Sequence, residues 1–230
     1  MKKAIVLILW LCTTFLSAMA QGDVIIYEAE PAQISFHWLD NMGMPITSMG
    51  DLLDAHPNAV CAMNGGLFGS DLKHTPLGLY IENGKVLNKL RKVRSTHANF
   101  GLQPQGVFLI TTDNKAMVVD VDHPAVTAGN IKWADQSAPL LVINNRINPK
   151  LPRGNSLQIR NGVGILPNGN VLFIVSKKFV SFTSFAKMFL ERGCTNAMYL
   201  DGGLSDILTP KLRAFEVCRC YSAMFLISKP

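Results

Sequence analysis

Three short stretches of this chain set a polar side chain beside glycines at a junction with an apolar run: "AMNGG", "IRNGVG" and "YLDGGLSD". Asp201 supplies a carboxylate, able to act as a nucleophile or as a base towards water. Arg160 supplies a planar guanidinium whose fork matches two phosphate oxygens. Asn64, with the amides of Gly65 and Gly66, supplies neutral donors for hydroxyl groups or an anionic oxygen. Asn161, Gly202, Gly203 and Ser205 complete the three junctions. Glycine beyond a strand lets the backbone turn tightly and approach a ligand with no Cβ in the way. One such junction is most often a plain turn. Three in one chain place candidate groups at strand ends, where sites on sheet scaffolds gather.

Each candidate also has a structural role open to it. Asp201 can brace the Gly202-Gly203 turn, Arg160 can form an ion pair, Asn64 can close its own turn, and Ser205 can cap a helix. Asp206 and Glu82 are reserve carboxylates. His74 in "LKHTPLG" and His97 in "RSTHANFG" are candidate proton carriers and substrate contacts. For Trp38 and Trp133, core packing is the better account.

Several chemistries are excluded by spacing. "NGGLFG" lacks the Lys-Ser/Thr of a P-loop, and "GVGILPNG" leads into a strand rather than a helix. "DGGLSD" lacks the alternating oxygen ligands and closing glutamate of a calcium loop. No Gly-x-Ser-x-Gly elbow occurs.

The elements that must position these groups are mostly strands. "DVIIYEAE", "ISFHWLD", "NAVCAMN", "GVFLIT", "KAMVVDV", "APLLVINN", "NAMYL" and "YSAMFLIS" are β-rich. Asn83-Gly84 predicts a tight hairpin in "PLGLYIENGKVLNKL", and Asn168-Gly169 lies near the turn of a second hairpin. A short helix through "MGDLLDAH" is capped by Thr47 or Ser48. A better one, "TSFAKMFLERG", starts at Thr183 and stops at Gly193. "NRINPKLPRGNS" reads as a loop. The expectation is an α+β fold: a single domain over residues 21–230 with a large mixed or antiparallel sheet and few helices.

Residues 1–20 fit a Sec-type signal peptide. Lys2 and Lys3 precede the apolar "AIVLILWLCTTFL", and Ala18-Met19-Ala20 predicts cleavage after Ala20. The protein is therefore expected to be exported, periplasmic or secreted, without stable membrane insertion after cleavage. The net charge of +6 falls to +4 with Lys2 and Lys3, too small a surplus to imply nucleic acid. The basic run Lys85, Lys89, Arg91, Lys92 and Arg94 reads as a solvated hairpin face. After cleavage Cys61, Cys194, Cys218 and Cys220 remain. Cys218 and Cys220 on one strand face suit a direct bond poorly, so one of them pairing with Cys194 is the expectation. A zinc site lacks the paired Cys-x-x-Cys spacing.

"MNGGLFG", "PLGLYIENGKVL", "NFGLQPQGVFLI", "IRNGVGILPNG" and "AMYLDGGLS" occur here in one order. That series resembles the phosphodiester glycosidase family, in particular an exported bacterial branch first catalogued as a domain of unknown function. The resemblance runs from Ile34 to Ile227. Leu67 stands where the family has a second aromatic, and Leu204 where it often has a third glycine, which narrows the space near Ser205. The resemblance implies hydrolysis of a sugar-1-phosphodiester, with Asp201 as the carboxylate and Arg160 and Asn64 as phosphate and sugar ligands. The partner is a small molecule or glycan carrying a sugar-phosphate. No cofactor is expected, and a divalent metal stays open. The rivals are a non-catalytic carbohydrate- or envelope-binding protein on the same scaffold and, behind it, a metal-dependent phosphodiesterase.

Overall fold

The computed structural model describes residues 19–95, 98–154, 156–209 and 218–229. Its elements in chain order are β1 Met19–Gln21, β2 Val24–Ala29, β3 Ile34–His37, helix α1 Met49–Ala55, β4 Ala59–Asn64, β5 Tyr80–Glu82 and β6 Lys85–Asn88. There follow β7 Gly106–Thr111, β8 Ala116–Asp120, β9 Ile131–Ser137, β10 Leu140–Ile143, β11 Arg146–Ile147 and β12 Asn161–Ile165. The last are β13 Val171–Ser176, helix α2 Phe182–Leu190, β14 Asn196–Tyr199, β15 Ile207–Leu208 and β16 Met224–Ser228. The fold is α+β, with strands dominant, as expected.

These strands form three sheets. One has seven strands in the order β1-β2-β13-β12-β14-β10-β11, one has four in the order β15-β4-β16-β3, and one has five in the order β6-β5-β9-β7-β8. Every ladder among the described residues is antiparallel.

The sheets turn one face each to a shared core. Phe173, Phe108 and Phe225, one from each sheet, meet one another there, and Phe36 lies 4.6 Å from Phe225 and 5.3 Å from Phe108 between ring centroids. Alternation then sends the intervening residues outward into smaller cores. Leu172 and Ile174 meet α2, Met224 and Leu226 meet α1, and Val107 and Leu109 meet Val121 and Val126. Central strands buried on both faces explain why "GVFLIT", "VLFIVS" and "MFLIS" read as unbroken apolar runs.

Local signals behave as their chemistry requires. Asn83 and Gly84 both have positive φ, closing the β5–β6 hairpin. Ser48 caps α1 by accepting the Asp51 N–H at 3.1 Å, and Gly193 ends α2 at φ +84. Lys92 of the basic run makes an exposed 2.5 Å ion pair with Asp122. Trp38 and Trp133 are core residues.

Some expectations need correction. The cap of α2 is Ser181, not Thr183: its hydroxyl accepts the Ser184 N–H at 3.0 Å, which draws Phe182 into the first turn. "NRINPKLPRGNS" starts with β11, because Asn144 and Asn145 both adopt positive φ and make a second two-residue hairpin. Cys218 bonds to Cys220, while Cys61 and Cys194 are free and buried. An extended strand would hold the two cysteines too far apart, but the chain bends at Arg219 and brings their Cα atoms to 5.4 Å. Residues 1–18, most of the expected signal peptide, lie outside the described residues.

The glycines of "NGVGI" also differ from expectation. They sit inside β12, not beyond a strand end, and β12 is flanked by β13 and β14. Their role is to let α2 lie close on the sheet. A Cβ on Gly162 would come 2.7 Å from the Met198 carbonyl oxygen and 3.1 Å from the Phe185 and Phe189 rings, and one on Gly164 would come 2.7 Å from Cys194 Sγ. Gly162→Ala should therefore destabilise the fold by about 1–3 kcal/mol, the range for overpacking a dense core. Urea denaturation with an unchanged m-value is the check, and a neutral effect would contradict this account of helix–sheet packing.

Candidate active site

The three glycine-bearing stretches come together at one end of the sheets. Asn64 ends β4, Arg160 precedes β12, Asn161 begins it, and Asp201 lies two residues beyond β14. Asn64 joins them. Its Nδ2 donates to the Asp201 carbonyl at 3.1 Å. Its Oδ1 accepts from Asn161 Nδ2 at 2.9 Å and from the Asp206 N–H at 2.9 Å. Asn161 Nδ2 also reaches the Asn64 carbonyl at 3.0 Å, and the Asp201 N–H donates to the Gly65 carbonyl at 3.1 Å. Asn64 and Asn161 are both buried.

The Asp201 side chain projects from this frame. Asp201 Oδ1 accepts the Gly203 N–H at 3.2 Å as the chain enters a short 3-10 turn over Gly202–Leu204. Its other oxygen makes no hydrogen bond among the described residues. Burial is the larger influence and raises its pKa above the usual carboxylate value, against the Gly203 N–H, which lowers it. Ser205 is buried, and its hydroxyl lies 3.2 Å from the Gly202 carbonyl and 3.4 Å from Asn161 Oδ1, so it braces the turn. Leu204 packs toward the α1 core.

Arg160 is almost wholly buried, yet no carboxylate pairs with it among the described residues. Its Nε donates to the Val180 carbonyl at 2.9 Å and its Nη2 to the Ser156 carbonyl at 2.8 Å. The guanidinium lies 3.7 Å from the Phe182 ring centroid and 5.3 Å from that of Tyr199. Burial pulls its pKa down. The guanidinium also interacts with the Tyr199 hydroxyl.

Tyr199 connects Arg160 to the Asp201 turn. Its hydroxyl accepts the Gly202 N–H at 2.8 Å, and a Cβ on Gly202 would collide with that hydroxyl oxygen. Burial pushes its pKa up to about 12, against Arg160, which lowers it. Sequence reasoning misses Tyr199. Its period-2 spacing from Asp201, on the same face of the chain, was the available signal.

The glycine amides are already engaged. Gly65 donates to the Ala223 carbonyl at 2.7 Å, Gly66 to Asp135 Oδ2 at 2.7 Å, and Gly202 and Gly203 to Tyr199 and Asp201. These residues contribute room and fixed turns rather than free donors.

Of the remaining candidates, His74 makes no contact with Asp201 among the described residues. Its ring stacks on Phe68 at 5.2 Å and its Nδ1 lies 3.1 Å from the Tyr221 carbonyl oxygen. His97 lies outside the described residues. Asp206 is buried, accepting the Tyr221 hydroxyl at 2.8 Å, and Glu82 ends β5, where it interacts with Tyr80.

Two variants separate bracket from reactive group. Asn64→Ala leaves the Asp206 N–H, an Asn161 amide and the Asp201 carbonyl short of a partner, and should destabilise the fold by about 2–4 kcal/mol. Asp201→Asn should behave oppositely. A carboxyl whose folded pKa is raised binds its proton more tightly when folded. Its penalty therefore grows as pH rises above the unfolded value of about 4 and persists at high pH. Asp201→Asn should thus match or exceed the wild type in stability at pH 8, with the advantage shrinking toward pH 4. Thermal melts across that range are the measurement; marked destabilisation by Asp201→Asn at pH 8 would contradict it.

The phosphodiester glycosidase profile matches residues 57–213, a span holding all three junctions. An uncharacterised protein of Escherichia coli (strain K12), YigE, is 41% identical over 152 residues, which is 64% of this chain and 56% of that protein. The present chain thus matches little more than half of that relative's length. The catalytic domain of zebrafish N-acetylglucosamine-1-phosphodiester alpha-N-acetylglucosaminidase, auto-inhibited by its pro-peptide, superposes with a TM-score of 0.66. That pair shares 16% identity over 90% of this chain and 77% of the other. A hypothetical protein from Synechocystis gives a TM-score of 0.53 at 13% identity, over 90% of this chain and 59% of its own. By the profile match across more than half its length, this chain belongs to the phosphodiester glycosidase family.

Proposed function

We propose that this protein is an exported hydrolase that splits a sugar-1-phosphodiester at the bond between the anomeric carbon and the phosphate oxygen. The observation that carries the reading is a carboxylate and a buried guanidinium, neither ion-paired among the described residues, joined through one tyrosine hydroxyl. Asp201 is the carboxylate, Arg160 the cation, and Tyr199 touches the Asp201 turn while packing against Arg160. Membership of the family supports the same chemistry.

The reaction needs little acid assistance, because a phosphate ester leaves with its charge already in place. The anomeric carbon becomes electron-poor as the bond to the departing oxygen stretches. Asp201 then acts as nucleophile, or takes a proton from the attacking water. In the net reaction water oxygen ends on the anomeric carbon, the carbon–oxygen bond to phosphate breaks, and one proton goes to solvent. Arg160 offsets the charge of the departing phosphate. Its Nε and Nη2 are fixed on Val180 and Ser156, so the guanidinium is held in place before substrate arrives. Asn64 and Asn161 hold the strand ends in register, with Ser205, Gly65, Gly66, Gly202 and Gly203 forming the rim.

Export is supported by the charged and apolar segments before Gln21. Among the described residues no helix is long and apolar enough to cross a membrane.

The test is release of free sugar from a panel of sugar-1-phosphodiesters that includes UDP-N-acetylglucosamine. The wild type should release sugar. Folded Asp201→Asn should lose about 10³-fold or more in kcat, and Arg160→Lys, which keeps the charge but loses the fork, about 10²-fold. Release that survives Asp201→Asn would remove Asp201 from the mechanism. No release from any member, with or without divalent metal, would favour the carbohydrate-binding alternative.

A further inference from the structure

Among the described residues, four buried side-chain oxygens make no hydrogen bond of normal geometry: Tyr80 Oη, Glu82 Oε2, Asp135 Oδ1 and Ser137 Oγ. They are not scattered. Tyr80 and Asp135 face each other across the β5–β9 ladder. Glu82 and Ser137 lie two residues along the same strands, so the pleat puts all four on one face. That face also carries Trp133 into the shared aromatic core. Tyr80 and Glu82 interact with each other, and Glu82 also with the Trp38 backbone, which leaves Asp135 Oδ1 and Ser137 Oγ as the unmatched pair; native interiors hold few such groups.

Asp135 stands where this row meets the candidate active site. It is fully buried. Oδ2 accepts the Gly66 N–H at 2.7 Å. Both glycines of the Asn64-Gly65-Gly66 turn are moulded to its carboxylate: a Cβ on Gly65 would lie 2.7 Å from Oδ2, and one on Gly66 would lie 2.9 Å from Oδ1. The opposite edge of Gly65 is its carbonyl, which receives the Asp201 N–H. One residue thus separates the buried carboxylate from the backbone of Asp201.

The groups facing Asp135 offer it no counter-charge. From β5 come Tyr80 and Glu82, from β7 the aligned Phe108, and from the turn only backbone. Burial pushes Asp135 up to about 7, against the Gly66 N–H, which lowers it, and burial likewise pushes Glu82 up to about 7. Asparagine would fill the same space and accept the same N–H without a buried charge. The carboxylate is therefore not explained by stability.

We propose that Asp135 is a positioning residue for the candidate active site, holding the Gly66 N–H so that the Asn64–Gly66 turn is fixed against Asp201. When ionised, it makes a charge-assisted hydrogen bond to Gly66, stronger than the neutral acid can make. The turn is then firmest above the titration of Asp135 and loosens as it takes up a proton. Nothing in the sequence marks the residue, because "IKWADQS" reads as an ordinary strand with one misplaced charge.

The activity part of this inference rests on the proposed sugar-phosphodiester hydrolysis, and the experiment separates the two. In the substrate-free wild type, the Gly66 amide resonance is followed from pH 5 to pH 9, with Asp135→Asn and Glu82→Gln alongside. The kinetic arm compares kcat and KM of the same proteins on the substrate the wild type cleaves. The expected result is a Gly66 resonance that titrates near neutrality in the wild type and in Glu82→Gln but not in Asp135→Asn. With it, Asp135→Asn should lower kcat about tenfold while KM stays within about threefold, and should flatten the acid limb of the pH–rate profile. A Gly66 resonance that stays fixed, or an unchanged kcat and pH profile in folded Asp135→Asn, would overturn the proposal. If the wild type cleaves no phosphodiester, the hydrolase reading fails separately, and Gly66 alone decides: titration upholds the coupling, its absence refutes it. Should Asp135→Asn not fold, the wild-type and Glu82→Gln titrations decide the coupling in the same way.

Discussion

Asn64 answers to three partners on two other segments: the carbonyl of Asp201 and the N–H of Asp206 beyond β14, and the side chain of Asn161 at the start of β12. All of this happens in the interior, where each unmade hydrogen bond costs about 1–3 kcal/mol. The end of β4, the start of β12 and the chain beyond β14 can therefore close only together. A side chain of another shape would satisfy at most part of the set. This amide brings distant parts of the chain to one rim, and the location of Asp201 follows from it.

Around that neutral bracket the protein keeps charges that do not help it fold. Arg160 is buried against aromatic rings with two backbone carbonyls for company, Asp201 takes one N–H, and Asp135 takes one N–H and leaves an oxygen unmatched. Ion pairing would relieve each of them, and none of the three is ion-paired among the described residues. Structural charges are normally neutralised by a neighbour, whereas groups kept for a ligand or a reaction are held in reserve. The contrast with Lys92 and Asp122, which find each other on the surface, makes the point within one molecule.

Much of the architecture was legible in the sequence because it rests on local rules. Asn83-Gly84 permits one kind of turn, Ser48 caps the helix it precedes, and Gly193 stops another. Long apolar runs correctly implied strands. The errors arose where a distant partner decides. Gly162 and Gly164 read as loop residues, but α2 needs them inside β12 for close approach. Cys218 and Cys220 were judged as strand residues, and a bend at Arg219 changed their geometry. Asn144 and Asn145 make a hairpin through positive φ, a conformation that asparagine tolerates but does not announce. In the site, Asp201, Asn64 and Arg160 stood out by type and by neighbouring glycines. Tyr199 and Asp135 did not, because a tyrosine in a strand signals packing and a lone carboxylate signals solvent.

The same distinction explains why glycine marks this site so heavily. Gly65 and Gly66 leave room for Asp135, Gly202 leaves room for the Tyr199 hydroxyl, and Gly162 and Gly164 leave room for α2. None of these five has the left-handed backbone for which glycine is usually sought. Each is a space filled by a particular oxygen, sulfur or ring. A paired glycine after a strand therefore need not mean a flexible rim here. It means that another group comes within van der Waals range of the backbone. At two of the three junctions that group is a polar atom placed beside Asp201: the Asp135 carboxylate below Gly65 and the Tyr199 hydroxyl below Gly202. Backbone and side chain are thereby locked together, so the carboxylate at the rim is held by packing as much as by hydrogen bonds, which is the rigidity a reacting group requires.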